Sequence, residues 1–250
     1  MLTIQEVIWE TFRLINYAAI GILPYKTWKY FYDTYKEEKD FCDEESLYHK
    51  RHNCVVTFSK GRSHIGWCGI QELNLNIYNV KSVYEPFLYF IDTAQKSLDV
   101  AIMSLNVKCI IESLIAAHKR GVNVRVISNF YMDKNSLQLY KQMERNGILI
   151  TLYVSKEKSN SIMHTKYIVK DYCAQKGGHL LTGSFNLTDV AFSNNYEDVV
   201  FTSQRIMVED FKKNFSKMWD SFKEDNTQMF NRLVLENAGF CLGILNEAKM

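Results

Sequence analysis

A chain of 250 residues, 47% hydrophobic and 14% aromatic, is ordinary for a globular protein and long enough to bury one sizeable core. A formal net charge of +2 excludes capture of a polyanion by bulk charge, so a nucleic acid would have to be met by a local cluster. Six cysteines without regular spacing, at Cys42, Cys54, Cys68, Cys109, Cys173 and Cys241, argue for a reduced compartment over a disulfide framework.

Taken in chain order, the first feature is an uncharged run at residues 14–25, bounded by Arg13 and Lys26. It is shorter than the roughly 20 apolar residues that cross a bilayer core. Trp9, Tyr17, Tyr25, Trp28, Tyr30, Phe31 and Tyr32 crowd its flanks, as aromatic residues do at a membrane interface. A buried helix of a soluble domain is the competing reading. Residues 33–53 are charged and read as an irregular linker, with Lys36-Glu37-Glu38-Lys39-Asp40 at their start. A first strand is predicted over 54–58 and a long loop over 59–77.

Helical spacing follows over 83–96, alternation over 98–105, and a second helix over 107–120 that Gly121 stops. A strand at 122–127, a helix at 136–146 closed by Gly147, and a strand at 148–154 continue the pattern. Residues 163–169 alternate again, and short strands at 179–182 and 199–201 precede a long helix over 206–222. Strands alternating with helices of this length imply an α/β sandwich whose mixed, largely parallel sheet is flanked by helices. With two prolines and no low-complexity run, the division is 1–32 as an N-terminal membrane-associated segment, 33–53 as linker, 54–225 as catalytic domain and 226–250 as tail.

The chemistry is concentrated in His164-Thr165-Lys166, with Asp171 five residues after the lysine, then Gly183-Ser184-Phe185-Asn186, then Asn195 and Glu197. On a strand, residues two apart share a face, so His164 and Lys166 are predicted to project together. An imidazole can attack phosphorus while an ammonium and an amide hold the non-bridging oxygens as charge builds on them. Two sequons, Asn186-Leu187-Thr188 and Asn214-Phe215-Ser216, are short enough to arise by chance. A glycan on Asn186 would also block the amide assigned to phosphate.

Spelled H-x-K-x4-D and G-S-x-N, these elements resemble the phospholipase D superfamily and its HKD signature. The likeness extends over residues 78–222 and is greatest to the branch with one such motif per chain, the mitochondrial cardiolipin hydrolase or Zucchini branch. It implies a phosphohistidine formed at His164, with Lys166, Ser184, Asn186 and Asn195 around the phosphate and Glu197 partnering the other imidazole nitrogen. Asp171, off the catalytic face, is expected to hold its turn through side-chain to backbone hydrogen bonds. Leu187 replaces the tryptophan common in this branch. Residues 172–178 are expected to form a looped-out turn.

The family reaction needs a second histidine, yet His49, His52, His64, His118 and His179 each lack a lysine two residues on. A homodimer contributing His164 from both subunits is therefore expected. Catalysis calls for no metal; for the structural zinc usual in this branch, the interval between first strand and first helix offers only His64 and Cys68, no C-x2-C pair is present, and a mixture with Cys42, His49, His52 and Cys54 just before it is the alternative. The resemblance leaves two substrates open, single-stranded RNA on the way to small silencing (piRNA) species, and cardiolipin cut to phosphatidic acid. Lys108, Lys119, Arg120, Lys134, Lys156, Lys158 and Lys170, interleaved with Tyr131, Tyr153 and Tyr167, lean the sequence reading toward an RNA groove. A catalytically inactive membrane scaffold is the third reading. The resemblance further implies a mitochondrial outer-membrane location, with the catalytic domain facing the cytosol.

Overall fold

The computed structural model describes residues 4–59, 62–67, 80–131, 136–155 and 161–240, and the chain divides into two units, Met1–His49 and Lys50–Met250. In the first unit, α1 (Ile4–Tyr17) runs through one π-helical turn (Ala18–Ile22) into α2 (Leu23–His52). The predicted linker at 33–53 is thus helical up to His52. Lys and Glu are good helix formers, and no glycine or proline follows Pro24 before the helix ends. The charges at 36–40 are exposed on this helix, so they mark solvation and not irregular chain. No described helix is long and apolar enough to cross a membrane.

The second unit is built on one eight-stranded sheet of order β2-β1-β8-β7-β6-β3-β4-β5. The strands are β1 (Cys54–Ser59), β2 (Arg62–Trp67), β3 (Ser97–Ile102), β4 (Asn123–Asn129), β5 (Leu149–Tyr153), β6 (Lys166–Cys173), β7 (Gly177–Gly183) and β8 (Tyr196–Thr202). The helices are α3 (Val80–Asp92), α4 (Lys108–Lys119), α5 (Leu137–Arg145), α6 (Asp189–Ser193), α7 (Arg205–Thr227) and α8 (Met229–Asn237). The sheet is mixed as predicted, but it is not largely parallel. Among the described strands only β3–β4 and β4–β5, joined through α4 and α5, run parallel. All other pairings are antiparallel. Helices of nine or more residues separate successive strands only in the middle of the chain, from α3 to β5. The β6–β7 connection is too short for a crossover, and a short connection can join only antiparallel strands.

One face of the sheet packs on an aromatic cluster in which Phe58, Phe87, Phe185 and Phe192 meet, with Phe58 and Phe185 rings 4.9 Å apart. Burying a side chain of this size contributes about 2–3 kcal/mol. The other face packs against α7 through Ala101, Ile127, Tyr167, Val169, Phe215 and Trp219. Asp99, buried on β3, fixes that helix: it accepts from Arg125 Nε at 2.7 Å and from Lys212 Nζ at 2.5 Å. Arg125 lies 4.9 Å from the Phe215 ring centre, so its charge meets both a carboxylate and an aromatic face.

Three further predicted features change. β2 occupies part of the expected loop at 59–77. The looped-out turn after Asp171 is a three-residue connection, with a register shift between Lys170 and Cys173. Part of the predicted tail belongs to the fold, because Asn226 Nδ2 donates to the Leu152 carbonyl and Leu235 and Phe240 enter the core.

Candidate active site

Three adjacent strands bring the motif together at one end of the sheet. β6 starts at Lys166, β7 ends at Gly183 and β8 starts at Tyr196, with Tyr167 opposite Thr182 and Gly183 opposite Val199. A side chain at Gly183 would collide with the Asp198 carbonyl oxygen, so the glycine of G-S-x-N permits this close approach. Ser184 then closes onto β8, its N–H donating to Asp198 O and its Oγ accepting from Asp198 N, both at 3.1 Å.

His164 is exposed and precedes β6 in irregular chain, so it does not share a strand with Lys166 as predicted. The two groups nevertheless meet. Lys166 Nζ lies 3.2 Å from His164 Nε2 and donates to the His164 carbonyl at 2.9 Å. Lys166 is 9% exposed, and its burial lowers the amine's pKa against an opposing pull from the Glu197 charge. Glu197 does not take the imidazole nitrogen expected for it. Ser184 Oγ donates to one of its oxygens and Asn195 Nδ2 to the other at 2.8 Å. Its negative charge faces Lys166 while Ser184 and Asn195 fix its orientation. Ser184, expected at the phosphate, spends its hydroxyl proton on this carboxylate.

Asn186 follows in a turn gripped by the segment after β3: Leu187 N donates to Ser104 O, and Asn106 N donates to Leu187 O. The Asn186 carboxamide oxygen is buried without a hydrogen-bond partner among the described residues. Asn106 was missed in the sequence. Its Oδ1 accepts from Asp189 N at 3.1 Å and so holds the far side of the same turn. Its place just before a helix, in Leu105-Asn106-Val107, was the available signal.

Asp171 lies at the far end of β6 and holds a turn, although not its own. Its Oδ1 accepts from the backbone N–H of Gln95, Lys96 and Ser97 at 3.1, 2.6 and 3.0 Å, pinning the segment between α3 and β3. Lys170 beside it is no groove residue. It is 1% exposed, donates to Thr93 Oγ1 at 2.8 Å, and lies over the Phe90 ring. Burial pushes its amine down to about 8, against the pull of the Asp171 charge.

Three other groove candidates have partners within the chain. Tyr167 is buried with its hydroxyl on Asn214, Tyr153 shares a hydrogen bond with Ser161, and Arg120 donates to the Asp92 carbonyl. Lys134, Lys156 and Lys158 lie outside the described residues. So does Cys68, while His64 is placed on β2 opposite Thr57. Among the described residues no three metal-ligating side chains gather.

An imidazole and ammonium in contact, beside an oriented carboxylate and the Asn186 turn, define a site of the phosphate-ester type. The family described as cardiolipin synthase, PLD-like domain, matches residues 87–219, and the chain belongs to this phospholipase D-like family. It is 28% identical over 150 residues to the mitochondrial cardiolipin hydrolase of Xenopus tropicalis, covering 60% of this chain and 67% of that protein. To the Xenopus laevis protein of the same name it is 30% identical over 142 residues, covering 56% and 63%. Against the second relative, the match spans less than two thirds of that protein's length. Among solved structures, Nuc of Salmonella typhimurium, a phospholipase D family member, superposes with a TM-score of 0.47 at 28% identity, over 54% of this chain and 86% of that one.

Proposed function

We propose that the protein is a phosphodiesterase that works through a phosphohistidine on His164, and that its substrate is cardiolipin, cut to phosphatidic acid. The observation that carries the chemistry is the Lys166 Nζ to His164 Nε2 contact of 3.2 Å. While Lys166 donates to Nε2, the imidazole lone pair is occupied. An arriving phosphate oxygen draws the ammonium to itself and frees Nε2 for attack on phosphorus. The P–N bond forms as the bond to the leaving alcohol oxygen breaks, and a second imidazole gives that oxygen its proton. The same imidazole then takes a proton from water, whose oxygen attacks phosphorus and releases His164. Cardiolipin and water become phosphatidic acid and the remaining lipid alcohol. The names of the relatives support this substrate, as does the burial of Tyr167 and Lys170, two residues of the Lys–Tyr set.

The second imidazole in this reading is His164 of the partner subunit, across a two-fold axis. Within the chain, His179 sits on β7 opposite Lys170, about four residues or 13 Å along the sheet from the Lys166 end. In the same reading the N-terminal unit attaches the enzyme to the mitochondrial outer membrane, catalytic domain toward the cytosol. Single-stranded RNA processing toward small silencing RNAs is the competing reading, favoured by Tyr131, 38% exposed just beyond β4.

The deciding experiment incubates the purified chain, with chelator present, separately with cardiolipin vesicles and with single-stranded RNA. Phosphatidic acid should appear with wild type and not with His164→Ala. RNA cleavage without lipid turnover would transfer the reading to RNA, and inertness toward both would leave the scaffold reading. Activity that needs added magnesium would overturn the mechanism. Mixing wild type with excess His164→Ala under subunit exchange should suppress turnover beyond dilution, and a fully active monomer in sedimentation would overturn the dimer.

A further inference from the structure

The first unit carries its apolar residues in a way that suits the plane of a membrane better than a path across it. On α1, Ile4, Val7, Ile8, Phe12 and Ile15 recur at helical spacing on one side, and Ile8 and Phe12 are 61% and 56% exposed. Glu6, Glu10 and Arg13 share the same three turns, with Arg13 and Glu10 paired at 3.4 Å in solvent. A path across the bilayer through α1 would take those charges into hydrocarbon, which strongly disfavours ionised side chains. The uncharged run at 14–25 rises about 18 Å at 1.5 Å per residue, against a hydrocarbon core of about 30 Å.

The start of α2 has a second stripe of different chemistry. Tyr25, Trp28, Tyr32 and Tyr35 follow one another at spacings of three and four, all exposed, and Trp28 stacks on Tyr32 with ring centres 5.2 Å apart. Lys26, Lys29 and Lys36 run along the edge of that stripe, displaced by one residue. Aromatic rings prefer the headgroup level, and lysines beside them extend their ammonium groups toward anionic headgroups.

We propose that α1 and the first part of α2 form an in-plane membrane-binding surface selective for anionic bilayers. The α1 face enters the acyl boundary, and the aromatic–lysine stripe lies among the headgroups. This rests on the membrane attachment given under the proposed function and specifies its geometry and its lipid charge.

The test uses the full chain with phosphatidylcholine vesicles, alone or containing phosphatidylglycerol. Flotation should show binding to the phosphatidylglycerol vesicles at low salt and release by alkaline carbonate. Fluorescence of Trp9 and Trp28, identified by its loss in Trp9→Phe/Trp28→Phe, should be quenched by headgroup-level quenchers and not by quenchers at the bilayer centre. Lys26→Ala/Lys29→Ala/Lys36→Ala should weaken binding roughly 100-fold, at about 1 kcal/mol per lysine near the surface. Carbonate-resistant binding with quenching from the bilayer centre would overturn the in-plane geometry and leave attachment standing. Equal binding to both vesicle types, unchanged in the lysine variant, would overturn the anionic preference. Binding to neither would overturn attachment itself.

Discussion

Lys166 and Lys170 stand four residues apart on β6 and face the same side of the sheet, roughly 13 Å from one another. Burial depresses both amines, and a carboxylate opposes the shift in each case, Glu197 at one end and Asp171 at the other. Their surroundings separate them. Lys166 touches an exposed imidazole at the open end of the sheet, whereas Lys170 is sealed between Phe90 and Thr93. A depressed amine alone therefore does not single out Lys166 on this strand; contact with an exposed imidazole does. In the proposed mechanism the histidine and lysine of the motif belong to the chemical end, while its aspartate belongs to the architectural end.

The largest separation between those ends should come from His164→Ala. It should lower turnover by more than about 10³-fold, with a stability change within roughly 0.5 kcal/mol because the side chain is exposed. Urea unfolding beside a turnover assay checks both. Lys166→Ala should cost about 10²–10³-fold in kcat, the range for losing one donor to a developing phosphate charge.

At the other end, Asp171→Ala leaves three backbone N–H groups without their acceptor and should lower stability by about 2–4 kcal/mol. Turnover per folded molecule should fall less than tenfold; a loss as large as that of Lys166→Ala would make Asp171 part of the chemistry.

The smallest effect has a defined pH window. With its amine at about 8 in the fold and 10.5 ordinarily, Lys170 binds fewer protons when folded than when unfolded between those values. Wild-type stability should therefore gain from Lys170 as pH rises from about 8 to 10.5. Lys170→Met should remove that contribution and stabilise the protein by roughly 1–3 kcal/mol at neutral pH. An unchanged pH slope in denaturant melts would refute it.

Much of the architecture was legible because periodicity reports burial, and β1, β3, β4, α4, α5 and α7 fall close to where the pattern puts them. Strand direction was not legible. The same alternation suits a parallel or an antiparallel neighbour, and only the short 174–176 connection betrays the meander of β6, β7 and β8. The charged segment at 33–53 failed for another reason: charge density measures solvation, while helicity depends on backbone preference. At the site, the spacing of His164 and Lys166 correctly implied proximity for an incorrect reason, since the lysine reaches back to a residue outside the strand. The Glu197 assignment could not be checked in sequence, because its competing donors, Ser184 and Asn195, were themselves assigned to phosphate. Tyr167 and Lys170 leave the Lys–Tyr set because alternating residues on a central strand face two covered sides, which takes both out of solvent together.

The backbone at Asp171 has φ 52°, the only non-glycine residue with positive φ among those described. Two unrelated filters therefore act on one position. The left-handed conformation admits glycine readily and, among side chains, favours aspartate and asparagine. The three amides of the neighbouring segment call for an acceptor short enough to reach them. Glycine passes the first filter and fails the second; glutamate offers an acceptor but meets the backbone penalty. Asparagine passes both with a weaker, uncharged acceptor, so Asp171→Asn should be the mildest substitution available here. An aspartate at this place in the motif can thus be required by geometry alone, without any part in moving a proton or a phosphate.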